Sequence, residues 1–185
     1  MSDFQLTHPT FVGGRASNDH YPTPRWCTLA LLKAIDLPPG APVFDPSCGE
    51  GNLLSVFSER GHPTSGIELD AERGQQAQRF GHDVLVGDSL KVPWGAEYII
   101  GNPPYSLAED FVWKALENPG VRLVAFLLRM SFLEPVNGRG MLFELHPPNF
   151  YILPRRPSFD GKGSDSVTSA WFVWPGGNHF DWLPR

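Results

Sequence analysis

The chain has 185 residues, 41% of them hydrophobic, and a formal net charge of −5. That suits one domain with a single sizeable core, and it is the composition of a globular protein, not a disordered one. There is no run of 18 apolar residues and no basic-then-apolar leader pattern, and two cysteines cannot make a disulfide framework; a membrane span, secretion and a disulfide-stapled fold are therefore not expected, and the cytoplasm is.

Three further features bound the reading. The histidines His8, His20, His62, His82, His146 and His179 are scattered singly, none at metal-ligand spacing, so no metal is expected. Charge is uneven: residues 43–120 hold 12 acidic and 5 basic side chains, residues 121–163 hold 3 and 6, a basic excess that can meet phosphates. The 19 glycines and 19 prolines follow no period and fall between apolar runs, which marks them as loop punctuation.

In chain order, residues 1–24 read as an irregular arm ending in Tyr21-Pro22-Thr23-Pro24. A helix is predicted over 25–35, with Leu29, Leu32 and Ile35 on its apolar face, ended by Pro38-Pro39-Gly40. Strand and helix patterns then alternate. Strands are predicted at 42–46, 64–69, 83–86, 97–101 and 121–128, with helices at 52–60, 71–80 and 107–117. The apolar run 121–128 suits a strand buried on both faces. A short helix at 140–145, strands at 150–153 and 169–174, and an irregular tail over 175–185 complete the chain. This alternation predicts a single α/β domain over 1–185, with a mostly parallel sheet and helices on both faces. In such sheets ligands bind beyond the carboxyl ends of the strands, which makes the turns after the first four strands the candidate site.

The first of these turns is Asp45-Pro46-Ser47-Cys48-Gly49-Glu50-Gly51. Its Gly-x-Gly spacing allows close backbone approach to a ligand, yet matches neither a full dinucleotide fingerprint nor a P-loop. Glu68 ends the second strand, where a carboxylate can accept from both hydroxyls of a ribose. Asp88 and Ser89 follow the third strand and can meet an exocyclic amine, and Asp45 can meet a ligand's amino group. Acids at three strand ends suit a ligand with ribose, adenine and a cationic centre better than a pyrophosphate. Helix capping is the competing role for each of them.

Asn102-Pro103-Pro104-Tyr105 ends the fourth strand. A ring-conjugated amine is a poor nucleophile because its lone pair is delocalised. Two acceptors on its hydrogens localise and aim that lone pair: the Asn102 side-chain oxygen and the Pro103 carbonyl. Pro104 stiffens the loop without adding an N–H, and Tyr105 offers a flat face for an aromatic substrate. Catalysis would then be orientation plus electrostatics.

With these residues the chain resembles the amino-group DNA methyltransferases, specifically adenine-N6 enzymes of the class I fold, and among them small stand-alone enzymes of phages and prophages. The segment from Phe44 to Gly51 is similar to their cofactor motif, Glu68 and Asp88 to the next two acidic positions, and Asn102-Pro103-Pro104-Tyr105 to their catalytic motif. Tyr21-Pro22-Thr23-Pro24 is similar to the N-terminal motif that closes over methionine, and Arg156-Pro157-Ser158-Phe159 and Ser169–Trp174 resemble late segments of the stand-alone enzymes. The resemblance implies a Rossmann-like seven-stranded sheet with the last strand antiparallel, and S-adenosylmethionine as cofactor, leaving as S-adenosylhomocysteine. It implies cofactor contacts from Tyr21, Thr23, Pro24, Asp45, Pro46, Ser47, Cys48, Gly49, Gly51, Asn52, Glu68, Leu69, Asp88, Ser89, Leu90 and Asn102.

The resemblance also implies flipping of the target base, with Tyr105 on one face and Phe159 on the other. Arg129, Arg139, Arg155, Arg156 and Lys162 are the candidate DNA contacts. Larger relatives carry a separate target-recognition domain for which no stretch is left here; loops 133–140 and 155–168 would do that work, so short or relaxed specificity is expected. A bacterial or phage-infected cell is the implied setting, and protection from restriction a plausible purpose. Adenine in RNA, a protein glutamine amide and an inactive subunit remain the alternatives.

Overall fold

The computed structural model describes residues 21–134, 139–158 and 167–183; Phe159, Lys162 and most of the N-terminal arm lie outside them. The chain enters through Pro24, whose extended backbone precedes α1 (Arg25–Leu31). Then come β1 (Val43–Asp45), α2 (Asn52–Ser58), β2 (Thr64–Glu68), α3 (Ala71–Arg79), β3 (Asp83–Val86) and β4 (Tyr98–Gly101). The rest is α4 (Ala108–Leu116), β5 (Leu123–Arg129), α5 (Arg139–Leu145), β6 (Asn149–Ile152), β7 (Ser169–Trp174) and β8 (Phe180–Trp182).

One sheet takes all these strands in the order β3-β2-β1-β4-β5-β7-β6-β8. β3, β2, β1, β4 and β5 run parallel; β7 runs antiparallel to both β5 and β6, and β8 parallel to β6. The seven-strand expectation is corrected to eight, and the antiparallel strand is β7, with β8 following it in the chain. The expected irregular tail is corrected by the same strand. Phe180, Asp181 and Trp182 pair with Phe150, Tyr151 and Ile152, and Phe180 stacks on Phe150 with ring centroids 4.3 Å apart.

Strand alternation divides the core into two layers. On one face Ala125 and Leu127 of β5 and Trp171 and Val173 of β7 meet α1, α2 and Ala77 of α3. On the other, Val124, Phe126 and Leu128 of β5 and Phe172 and Trp174 of β7 meet Phe111 and Val112 of α4 and Leu142 of α5. Each such aliphatic or aromatic side chain contributes about 1.5–3 kcal/mol on burial. α1 differs from expectation: it buries Cys27, Thr28, Ala30 and Leu31, while Leu29 is only half-buried. That face packs on the core beside Trp171, whose Nε1 donates to the Cys27 carbonyl at 3.0 Å, while Leu32 and Ile35 follow the helix and also pack against the core.

Candidate functional site

Chain order reverses between β1 and β4, which are neighbours in the sheet although two strands separate them in sequence. A cleft of about 510 Å³ opens there, at the carboxyl ends of the strands. Of the residues singled out from the sequence, Tyr21, Thr23, Asp45, Pro46, Ser47, Cys48, Gly49, Asn52, Glu68, Leu69, Ser89, Asn102 and Pro104 line it. Pro24, Gly51, Asp88, Leu90, Pro103 and Tyr105, also singled out, are not among the residues that line it.

Asp45 ends β1 almost fully buried and accepts from the Ser47 N–H at 2.9 Å. Burial raises its carboxyl to about 7; the Ser47 N–H opposes the rise and Glu68 adds to it. Gly101 of β4 makes room for it, because a Cβ there would stand 2.6 Å from Asp45 Oδ1. The Cys48 thiol is pushed well up, first by burial and then by the Asp45 and Glu68 carboxylates, so it is neutral and unreactive.

Glu68 ends β2 and ties the cleft wall together. Its Oε2 accepts from Gly49 N–H at 2.9 Å; its Oε1 accepts from Asp70 N–H and from Arg73 Nη2, both at 2.9 Å. Arg73 and Asp70 also line the cleft and were missed in the sequence. Their only signal was the offset from Glu68, since Asp70 caps α3 by accepting from Glu72 and Arg73 N–H, which turns the Arg73 side chain back toward β2.

The turn into α2 rests on His82. Gly51 has φ of 84°, and a Cβ on it would stand 2.6 Å from the His82 ring. Thr64 Oγ1 lies 2.8 Å from Nδ1 and Ser55 Oγ 3.1 Å from Nε2, while the Ser55 hydroxyl donates to the Gly51 carbonyl at 2.9 Å. Burial holds the His82 imidazole below its ordinary value. An Nε2–H imidazole satisfies every one of these contacts: Thr64 donates to Nδ1 and Nε2–H donates to Ser55.

After β3, Asp88 takes the capping role: its Oδ1 accepts from Leu90 N–H at 3.1 Å and its Oδ2 lies 3.4 Å from Lys91. Gly87 and Ser89 form the cleft wall there, and the buried Ser89 Oγ has no hydrogen-bond partner among the described residues.

After β4, Asn102 Nδ2 donates to the Tyr21 carbonyl at 2.9 Å. The other end of the same amide, Oδ1, is buried without a partner among the described residues. The Pro104 carbonyl is taken by Leu107 N–H at 2.9 Å. Tyr105 and Tyr21 stack with centroids 5.3 Å apart, and the Arg129 guanidinium lies 4.6 Å from the first ring and 5.6 Å from the second. Those separations form a nearly equal-sided triangle, which places Arg129 beside the pair rather than outside the stack.

The other candidate DNA contacts are dispersed. Arg139 is an internal group, with Nε 3.5 Å from Glu109 Oε2 and Nη1 donating to the Phe132 carbonyl at 3.0 Å. Arg155 and Arg156 are exposed beyond β6, Arg155 with its guanidinium 4.6 Å from the Trp26 ring centroid. Among the described residues no group of His, Cys, Asp and Glu is placed to hold a metal, and no helix is long and apolar enough to cross a membrane.

The cleft fits a sulfonium nucleoside. Glu68 Oε2 has acceptor capacity left for ribose hydroxyls, Ser89 Oγ for a base edge and the Asp45 carboxyl for an ammonium group.

No family model matches the chain. Over 102 residues it is 30% identical to the Ribosomal RNA small subunit methyltransferase A of Paracidovorax citrulli (strain AAC00-1), an overlap of 50% of this chain and 40% of that protein. Over 156 residues it is 27% identical to the Modification methylase CviBIII of Paramecium bursaria Chlorella virus NC1A, covering 66% of this chain and 40% of the relative. The chain thus spans about two fifths of the length of these curated relatives. The crystal structure of the 23S rRNA methyltransferase ErmE superposes with a TM-score of 0.67 at 19% identity, over 86% of this chain and 71% of that one. The chain carries the fold of the class I S-adenosylmethionine-dependent methyltransferases, and S-adenosylmethionine is the cofactor that this likeness supports.

Proposed function

We propose that the protein transfers a methyl group from S-adenosylmethionine to the 6-amino group of adenine in DNA, acting on a base turned out of the stack. The observation that carries this reading is the Asn102 amide. Its nitrogen end is held by the Tyr21 carbonyl, so its oxygen end is left facing inward as a buried acceptor. A buried acceptor without a donor costs about 1–3 kcal/mol, and an amine hydrogen relieves that cost.

When bound, the cofactor supplies an electrophilic methyl on a sulfonium. The chain supplies the rest. Asn102 Oδ1 and the Pro103 carbonyl accept the two amine hydrogens and turn the nitrogen lone pair toward the methyl. Tyr105 stacks on the base, and Asp45 and Glu68 hold the ammonium and ribose ends of the cofactor. Loops 133–140 and 155–168 read the target, with short or relaxed specificity.

A second reading, adenine in RNA, draws support from the relatives named as ribosomal RNA methyltransferases. DNA is preferred for the likeness to a modification methylase, which spans more of this chain, and for the resemblance to stand-alone phage enzymes, which also suggests protection from restriction. The test is transfer of labelled methyl to duplex DNA, single-stranded DNA, RNA and protein, followed by nucleoside digestion. N6-methyladenine from DNA supports the proposal. Label confined to RNA moves the substrate, and label confined to protein glutamine overturns the nucleic-acid reading.

A further inference from the structure

The cleft wall after β3 is a single 3₁₀ turn, Ser89–Lys91, closed by Lys91 N–H donating to the Asp88 carbonyl at 3.0 Å. One turn fixes several dihedrals for one hydrogen bond and does not hold by itself. Side chains hold this one at both ends. At its start, Asp88 Oδ1 accepts from Leu90 N–H at 3.1 Å. From the other side, Lys114 of α4 reaches its carbonyls: Nζ donates to the Ser89 and Leu90 carbonyls, both at 2.9 Å. Trp94 Nε1 donates to the same Ser89 carbonyl at 2.9 Å, so both lone pairs of that oxygen are used.

Lys114 is half-buried, and among the described residues its hydrogen bonds go to these backbone carbonyls and none to a carboxylate. Its ammonium lies 5.1 Å from the centroid of the buried Trp94 ring. Trp94 packs in turn on Phe111, with centroids 5.7 Å apart. Phe111 stands three residues before Lys114, on the same face of α4. The helix thus delivers an apolar ring to the cleft and a cation to the turn beside it. Gly87, Ser89, Leu107 and Phe111 all line the cleft, and Ser89 Oγ is buried there without a partner among the described residues. A wall that is apolar with one unused polar atom suits an aromatic base with a polar edge. The ribose and ammonium ends of the cofactor already have Glu68 and Asp45.

We propose that Lys114 is a positioning residue for the base of the cofactor: by holding the Ser89 and Leu90 carbonyls toward α4, it fixes Ser89 as the polar edge of the base-binding wall. The inference rests on the cofactor reading above and deepens it. It holds equally for a DNA or an RNA substrate, because Lys114 acts on the methyl donor alone.

The test compares S-adenosylhomocysteine with 5′-methylthioadenosine, which keeps the base and ribose and lacks the amino acid. Calorimetry reads both ligands on the full chain and on K114M, which keeps an apolar stem and removes the cation. The expected loss is about tenfold for each, the effect of one hydrogen bond to a charged group, so the ratio of the two affinities stays that of the wild type. Asp45→Asn is the contrast, since it should weaken S-adenosylhomocysteine alone. In methyl transfer the K114M loss is expected in KM for S-adenosylmethionine, with kcat within about twofold of wild type. Aminoethylation of K114C with bromoethylamine rebuilds an ammonium of the same reach and is expected to restore both affinities; the wild-type chain treated alike is the control, since Cys27 and Cys48 are buried. Full affinity of K114M for both ligands overturns the inference. So does a loss confined to S-adenosylhomocysteine, or one that aminoethylated K114C shares. Each of these leaves the cofactor reading standing, whereas a wild-type chain that binds neither ligand overturns both.

Discussion

The Asn102 side-chain amide is tied to the Tyr21 backbone carbonyl at 2.9 Å, across 81 positions of sequence. The bond takes the nitrogen end of the amide and leaves Oδ1 as a buried acceptor, and the Tyr21 ring is itself held on Tyr105, so the segment entering α1 and the loop leaving β4 are one assembly.

Tyr21→Ala removes the stack that holds this carbonyl in place. An aromatic pair of this kind is worth about 0.5–1.5 kcal/mol, so the single-turnover rate is expected to fall about threefold to tenfold. Tyr21→Phe keeps the ring and should keep the rate. Equal losses in both variants would mean that the hydroxyl, not the stack, does the positioning.

Cofactor affinity should depend on pH through Asp45. Its folded-state value of about 7 lies above the ordinary 3.8, so the native protein holds a proton that the unfolded chain has released. Stability from this group is full below about pH 4 and is lost as pH rises through about 7. A cofactor ammonium prefers the ionised form, so affinity rises over the same interval and binding releases a proton. Calorimetry in buffers of different ionisation enthalpy reads that proton, and Asp45→Asn should abolish both effects; a proton release that persists in the variant assigns it elsewhere.

Glu68→Gln should cost more than Arg73→Met. The first change replaces a buried acceptor of the Gly49, Asp70 and Arg73 donors and leaves at least one of them facing an N–H₂, at about 1–3 kcal/mol. Arg73→Met removes one of three donors to Glu68 and leaves the Gly49 and Asp70 N–H bonds to it in place, so it is expected to cost less. Thermal melts should drop by about 2–10 °C for Glu68→Gln, with cofactor affinity at least about tenfold weaker. Comparable losses in both variants would move the weight to the ion pair.

Gly101→Ala places a methyl 2.6 Å from Asp45 Oδ1. The carboxylate must shift, because the strand behind it cannot. Destabilisation of about 1–3 kcal/mol is expected together with weakened cofactor binding, read by urea unfolding and calorimetry. A stable variant with full affinity would remove Asp45 from the cofactor site.

Much of this was legible in the sequence, for physical reasons. β3 and β7 fall on the expected residues, and the other parallel strands shift by at most two at either end; β4, β5 and β7 are buried on both faces and read as apolar runs, while β2 and β3 are bounded by the turn residues around Gly61 and Gly81. The carboxyl-end rule groups Asp45, Glu68, Ser89 and Asn102, and all four line one cleft. β8 was illegible because its three residues are exposed and follow Gly176-Gly177, so no periodicity marks them. The buried face of α1 was illegible because what it packs against, Trp171 included, lies as far as 144 positions away. The roles of Arg73 and His82 depend on side chains turning back across neighbouring strands, which no local pattern encodes. Arg129, read as a DNA contact, packs beside Tyr105 because β4 and β5 are adjacent and end together.

The most direct measurement is the single-turnover methyl-transfer rate of Asn102→Ala at saturating cofactor and oligonucleotide, beside its cofactor affinity. Loss of one preorganised hydrogen-bonding group at a reacting centre costs about 10²–10³ in rate. The account predicts a loss of that size at saturating cofactor, where weaker binding of the methyl donor no longer enters the rate, so the loss reports the acceptor on the amine. An unchanged rate, or a loss carried wholly by weaker cofactor binding, would contradict it.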